Sequence, residues 1–202
     1  MSSERSRSSA PDHLTTALTT ALDEILSAVG NSVIPAPVVL IDGRSGAGKT
    51  TLARDLAARW PARQETISHV QSVALDSVYP GWGGLAAGAR YATDHILARH
   101  ARGEVSTWRR WDWDADAYAE HHTVDPTLPL IIEGSGMLTP ESAALADIRV
   151  WLESPLGSRR TRALTRDGDT YRPHWDEWAA QEVEHLRAHR PASLATLVFD
   201  VP

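Results

Sequence analysis

The sequence predicts an α/β fold: a three-layer α/β/α sandwich with a central parallel sheet. Three observations predict it. Short apolar runs recur at Val38 to Ile41, Leu128 to Ile132 and Ile148 to Leu152. Runs of that length without alternation mark strands buried on both faces. Segments with helical spacing separate them, which is the pattern of parallel strands joined by crossover helices. The first run also opens directly into a glycine-rich turn, "DGRSGAGKT", followed by helical spacing.

The elements follow in order. Met1 to Ala10 is rich in Ser and Arg and lacks an apolar core. It reads as a disordered tail over residues 1–10 and not as a secretory signal. Residues 11–202 read as one domain. Asp12 is placed to cap a first helix, with Leu14, Leu18, Leu22, Ile25, Leu26 and Val29 at helical spacing and Gly30 at its end. Pro35 and Pro37 bracket a loop before the Val38 strand. A helix is expected over Thr50 to Trp60, stopped by Pro61. Val70 to Leu75 reads as a strand, Leu85 to Arg102 as a helix ended by Gly103, and Val105 to Trp111 as an extended segment. After the Leu128 strand come a short helix over Pro140 to Ala146 and the Ile148 strand. Helices over Pro155 to Asp167 and His174 to His189 and a last strand over Ala195 to Val201 complete the chain.

Bulk properties narrow the function. Apolar residues make up 42% of the 202 and net charge is −6. That balance argues for a globular protein and against a non-specific nucleic-acid partner. The absence of cysteine excludes disulfides, thiol catalysis and cysteine-ligated metal. It also fits a cytoplasmic protein. No apolar run approaches the ~20 residues that cross a bilayer, so no membrane partner is expected.

The spacing Gly43, four residues, Gly48, Lys49, Thr50 is the phosphate-binding pattern G-x-x-x-x-G-K-[ST], the P-loop or Walker A motif. Glycines let the backbone turn sharply and approach an anion. Successive N–H groups then face phosphate oxygens, and the helix that follows adds its positive end. Lys49 reaches the terminal phosphates, and the Thr50 hydroxyl is suited to Mg²⁺, which prefers oxygen ligands. Gly43, Arg44, Ser45, Gly46, Ala47, Gly48, Lys49, Thr50 and Thr51 are therefore the expected nucleotide-binding residues, with ATP and Mg²⁺ as the implied cofactors.

Phosphoryl transfer also needs a base and cations over the migrating group. Asp76 ends a strand in "ALDSVYPGW" and suits the base, with a second role near the metal. Glu133 ends the strand in "LPLIIEGSG" and suits the metal. Arg159, Arg162 and Arg166 share one helical face, and three guanidinium groups suit a polyphosphate. Gly168 follows as a hinge, which makes residues 155–173 a lid. Arg162 and Arg166 are the expected catalytic cations. Eight tryptophans are many for this length, and several fall between Asp76 and Glu133, where an acceptor belongs. Tyr79, Trp82, Trp111, Asp112 and Arg172 are the expected acceptor contacts, with Trp111 and Trp113 sharing one side of an extended segment. His121 and His122 lack metal-ligand spacing, and "EGSGM" lacks a nucleophile elbow.

With these pieces in order, the chain resembles the uridine kinase-like branch of P-loop kinases, of the kind found in actinobacteria. "GRSGAGKT" resembles its P-loop and "LDSVY" its D-S-F-Y segment, whose Asp activates a sugar hydroxyl. "GEVSTWRRWDW" is similar to the stretch before its Tyr-Asp motif, with Trp111 and Asp112 at the matching places. "LIIEG" resembles its magnesium-assisting strand, and "VWLESPLGSRRTRALTRD" its strand and arginine lid, with Arg162, Arg166 and Asp167 at lid positions. The region "GWGGLAAGARYATD" replaces a stretch containing His-Pro-Asp, and Asp116 stands where the family has a nucleoside-contacting His. The resemblance implies a kinase with a small hydroxyl acceptor and is compatible with a homodimer. Two other classes remain open on the residues: a GTPase-like switch, for which no N-K-x-D segment is present, and a kinase relative that binds nucleotide without acceptor turnover.

Overall fold

The computed structural model describes residues 13–61 and 69–202. Asp12 and residues 1–10 lie outside them. A five-stranded sheet has the order β2-β5-β1-β6-β7 and is parallel throughout. Its strands are β1 (Val38–Gly43), β2 (Gln71–Ala74), β5 (Leu130–Glu133), β6 (Ile148–Glu153) and β7 (Leu197–Asp200). Alternation along β1 and β5 divides the core. Val38, Leu40, Leu130 and Ile132 face one layer, and Val39, Ile41 and Ile131 face the other.

Two helices cover the second face. In α1 (His13–Asn31), Leu18, Leu22, Ile25 and Val29 are buried at helical spacing. They pack with Leu52 and Leu56 of α2 (Lys49–Ala58) against β1, β5 and β6. Each large apolar side chain buried in this way contributes about 1.5–3 kcal/mol. The first face is covered by α3 (Leu85–Ala92), by Ala163 and Tyr171 of α6 (Leu156–Tyr171) and by Trp175 and Trp178 of α7 (Trp175–His189). Short helices α5 (Pro140–Ala143) and α8 (Pro191–Leu194) make connections.

Three departures from the sequence expectations have physical causes. The helix expected over Leu85 to Arg102 is α3, a π-helical turn Thr93–Leu97 and α4 (Ala98–Ala101). Thr93 donates its hydroxyl to Ala89 O at 2.9 Å, a bond to the preceding turn that accompanies the widening. A strand that the sequence pass missed, β4 (Ala117–Val124), pairs antiparallel with β3 (Ser106–Asp112) in a separate hairpin. β4 is largely exposed, so no apolar run announces it. The helix expected to stop at Asp167 continues to Tyr171 across a kink at Gly168, whose φ of 56° and ψ of −130° are not helical. Among the described residues, no helix is long and apolar enough to cross a membrane.

Ile25 is fully buried between α1 and the sheet. Ile25→Ala should lower unfolding free energy by about 2–5 kcal/mol in urea titration, through lost burial and the cavity left behind.

Candidate active site

The register of the sheet brings three loops to one edge. Glu133 is level with Ala74 of β2 and with Ile41 of β1, and Ile41 is level with Val150 of β6. The chain leaves these strand ends toward Asp76, the P-loop and Ser135. Gly46 has a φ of 80°, and a Cβ there would lie 2.2 Å from the carbonyl oxygen of Arg159. Only glycine fits between the P-loop and α6 at that point. Gly48 caps α2 with a φ of 104°.

Lys49 is almost wholly buried, with Nζ 3.2 Å from Ser135 Oγ and 3.4 Å from Arg44 O. Thr50 donates its hydroxyl to Glu133 Oε1 at 3.0 Å. Burial pushes the Glu133 carboxyl up from its ordinary value. Lys49 opposes that shift and Asp76 adds to it. Asp76 stands in a 3₁₀ turn, Leu75–Ser77, at the end of β2 and is exposed. Its backbone carbonyl accepts from Trp113 Nε1 at 2.7 Å.

Two cavities open here. One, of about 260 Å³, is lined by Lys49, Thr50, Glu133 and Arg162, with the N-terminal turns of α1 along one side. The other, of about 640 Å³, is lined by Tyr79, Trp82, Trp113, Tyr171 and Trp178. Ser45, Asp76 and Arg166 line both. Trp82 is central to the aromatic group. It lies 4.8 Å from Trp113, stacks on Tyr171 at 5.4 Å, and stacks on His174 at 4.3 Å with the rings 4° apart. The Tyr79 hydroxyl donates to Ser135 O at 2.7 Å, and burial holds it protonated far above the ordinary phenol range.

No family model and no curated protein matches the chain. Solved structures do match. One, from Bacillus stearothermophilus and provisionally described as a uridine kinase, superposes with a TM-score of 0.65 over 94% of this chain and 100% of its own, at 22% identity. A second, from Silicibacter and provisionally described as a fructose transport system kinase, superposes with a TM-score of 0.56 over 90% of this chain and 98% of its own, at 21% identity. The chain has the P-loop kinase fold. Its parallel sheet and glycine-rich loop at the end of β1 are the parts of that fold from which the site is built.

Within this fold, most of the expected residues meet. Ser45, Gly46, Gly48, Lys49, Thr50 and Thr51 line the smaller cavity with Asp76, Glu133, Arg162 and Arg166. Arg44 does not. Its guanidinium turns away to Glu153 Oε1 at 3.0 Å, and only its carbonyl serves the site. Gly43 and Ala47 shape the loop from beneath, Ala47 being fully buried. Tyr79 and Trp82 line the larger cavity.

Others are placed elsewhere. Arg159 is not a phosphate-facing cation. It is 2% exposed, its Nε donates to Ser154 O at 3.0 Å and its Nη1 to Ser45 O at 3.0 Å, and it pairs with Glu182 at 3.7 Å. Trp111 packs edge-on against Tyr118 away from both cavities, and Trp113 takes the cleft position. The ladder shifts register between Arg109 and Trp111, and the strand ends at Asp112, so the two tryptophans do not form one wall. Asp112 organises the hairpin turn, accepting from Asp114 N at 3.1 Å, Ala115 N at 3.0 Å and Arg110 Nη2 at 3.0 Å. Arg172 is exposed, 3.6 Å from Asp169.

Sequence reasoning also missed Glu182. This buried carboxylate accepts from Ser45 N at 2.6 Å and lies 3.3 Å from Ser135 Oγ. Its only signal was an acid three residues before His185 on a helix.

Two outcomes follow. Arg159→Ala should cost about 3–5 kcal/mol in chemical denaturation, because Glu182 is left buried without its cation. Metal-free Glu133→Gln should gain stability relative to the parent as pH rises from about 4 to 7. The folded carboxyl binds its proton more tightly than the ordinary value of 4.5. The folded state therefore carries more protons in that window, and the parent loses stability as pH rises through it. A constant difference across the window in paired urea titrations would contradict this.

Proposed function

We propose that the protein is an ATP-dependent kinase that transfers the γ-phosphoryl group to a hydroxyl of a small, nucleoside-like acceptor. The observation that carries this reading is the shared border of the two cavities. Asp76 and Arg166 line both, so a carboxylate and a guanidinium stand where a phosphate chain and an acceptor would meet. Both structural neighbours are provisionally described as kinases, which supports it.

The P-loop N–H groups and Lys49 hold the phosphates. The donor set at Thr50 and Glu133 is a hydroxyl and a carboxylate 3.0 Å apart, with the exposed Asp76 carboxylate on the same cavity. Oxygen donors of this kind fit Mg²⁺, which takes few protein ligands and completes its shell with phosphate oxygens and water. Bound there, the ion would neutralise charge that develops between the phosphates.

Asp76 takes the proton of the acceptor hydroxyl as its oxygen bonds to the γ-phosphorus. The bond from that phosphorus to the bridging oxygen breaks, and ADP leaves with the electron pair. The Asp76 side chain is exposed on the shared border, which leaves its carboxylate able to accept. Arg166 faces the migrating group from the lid. Trp82, Trp113, Tyr171 and Trp178 offer ring faces and edges to a planar acceptor.

ATP consumption with Mg²⁺, measured against a panel of nucleosides, vitamins and sugars, tests the reading. Acceptor-dependent turnover should appear. Lys49→Ala and Asp76→Asn should each lower kcat/KM by about 10²-fold or more. Full acceptor-dependent turnover in Asp76→Asn would overturn it.

A further inference from the structure

The smaller cavity is not closed by the P-loop and lid alone. Leu14, Thr15, Leu18 and Thr19 of α1 line it, together with Thr51 of α2. We infer that this face of α1 is the wall against which the base and ribose of the bound nucleotide lie. The inference rests on the nucleotide-binding reading above and assigns the part of the ligand that the P-loop does not hold.

Three observations carry it. First, the contact between α1 and the P-loop is direct: a Cβ at Gly48 would lie 3.2 Å from both terminal methyl carbons of Leu18. A ligand whose phosphates lie on Lys49 and Thr50 therefore has α1 beside it in the same cavity. Second, the chemistry changes along the cavity. Lys49, Glu133 and Arg166 make one part of the lining charged, whereas α1 contributes leucines and threonines, and Asp55 of α2 is paired with Arg54 at 2.9 Å. The Thr19 hydroxyl is engaged within the helix, donating to Thr15 O at 2.8 Å. An apolar wall beside a charged one suits a ligand that is anionic at one end and flat and uncharged at the other. Third, another part of the lining is fixed. Arg162, which lines the same cavity, donates to Gly46 O at 2.7 Å and to Ser154 Oγ and Pro202 O, which fixes its planar guanidinium in place. A ring between a leucine face and a guanidinium plane is held by its faces on both sides.

The test compares ATP with inorganic tripolyphosphate, which has the phosphates and no base. Leu14→Asn and Thr15→Gln change the wall without adding charge, and Thr15 is exposed, so the fold tolerates its replacement. In calorimetric titration of the full chain, each variant should weaken ATP about 5-fold or more, while tripolyphosphate stays within about 2-fold of the parent. Lys49→Ala should weaken both. Unchanged ATP affinity in the two α1 variants, with Lys49→Ala still weakening ATP, would overturn the wall and leave the P-loop reading standing. Equal weakening of ATP and tripolyphosphate would also overturn it, as a structural effect on the loop. Lys49→Ala without effect on either ligand would remove the nucleotide reading itself, and the wall with it.

Discussion

Two buried carboxylates tie together the loops after β1 and β5. Asp42, fully buried at the end of β1, accepts from Gly43 N at 2.6 Å, Gly136 N at 3.0 Å and Leu138 N at 2.7 Å, and pairs with His185 Nε2 at 3.0 Å. Glu182, one turn earlier on α7, takes Ser45 N and sits beside Ser135 Oγ and Arg159. The P-loop and the loop after β5 are thus fastened to one helix and to each other. Hydrogen bonds to ionised groups are about twice as strong as neutral ones, and stronger again where water is excluded. Ser135 passes the restraint on, since its hydroxyl stands between Glu182, Gly43 O and Lys49 Nζ. The position of Lys49 therefore depends on α7, a helix that borders the larger cavity through Trp178 but not the smaller one.

The same constraint explains why charge can be concentrated at one strand edge. Lys49, Asp76, Glu133 and Arg166 share a small cavity. Burial disfavours the charge on Glu133, and the neighbouring Asp76 disfavours it further. An arrangement of that kind is stable only if the backbone around it is held by other means. Strands β1 and β5, buried on both faces, and the Asp42 and Glu182 anchors supply that hold.

The parts of this architecture that were legible in the sequence are those that depend on local pattern. β1, β5 and β6 could be read because strands covered on both faces are apolar without interruption, and the P-loop because its chemistry needs fixed spacing. Asp76 and Glu133 could be placed because ligands gather at the carboxyl ends of parallel strands. What failed depended on which neighbour each face meets. Helical spacing put Arg159, Arg162 and Arg166 on one stripe, yet nothing local says that the first of them is covered by Ser45 and Glu182. The Trp111 and Trp113 pairing assumed an unbroken strand, and the shifted register and the turn separate them. Hairpin strand β4 is mostly solvated and carries no apolar signature. Glu182 and His185 look like ordinary surface residues of a charged helix, and α1 gave no sign that its first turns border the smaller cavity.

The lid helix shows how one stripe of like residues divides into different roles. Arg159 is 2% exposed and locked to backbone carbonyls. Arg162, one turn on, is tied to the P-loop at Gly46 O and still borders the cavity. Arg166, a further turn on, has a side chain 54% exposed and, among the described residues, pairs only with its neighbour Asp167, an exposed contact of small net worth. Two residues later the backbone leaves helical geometry at Gly168. Anchorage thus declines along the helix toward the residues that line the larger cavity. The first two arginines spend their hydrogen bonds on keeping the lid against the loop, and the third keeps a short-range, replaceable partner. A phosphoryl group passing between the cavities would compete with Asp167 for a guanidinium that is already in place, and it would not need to dismantle the lid to do so.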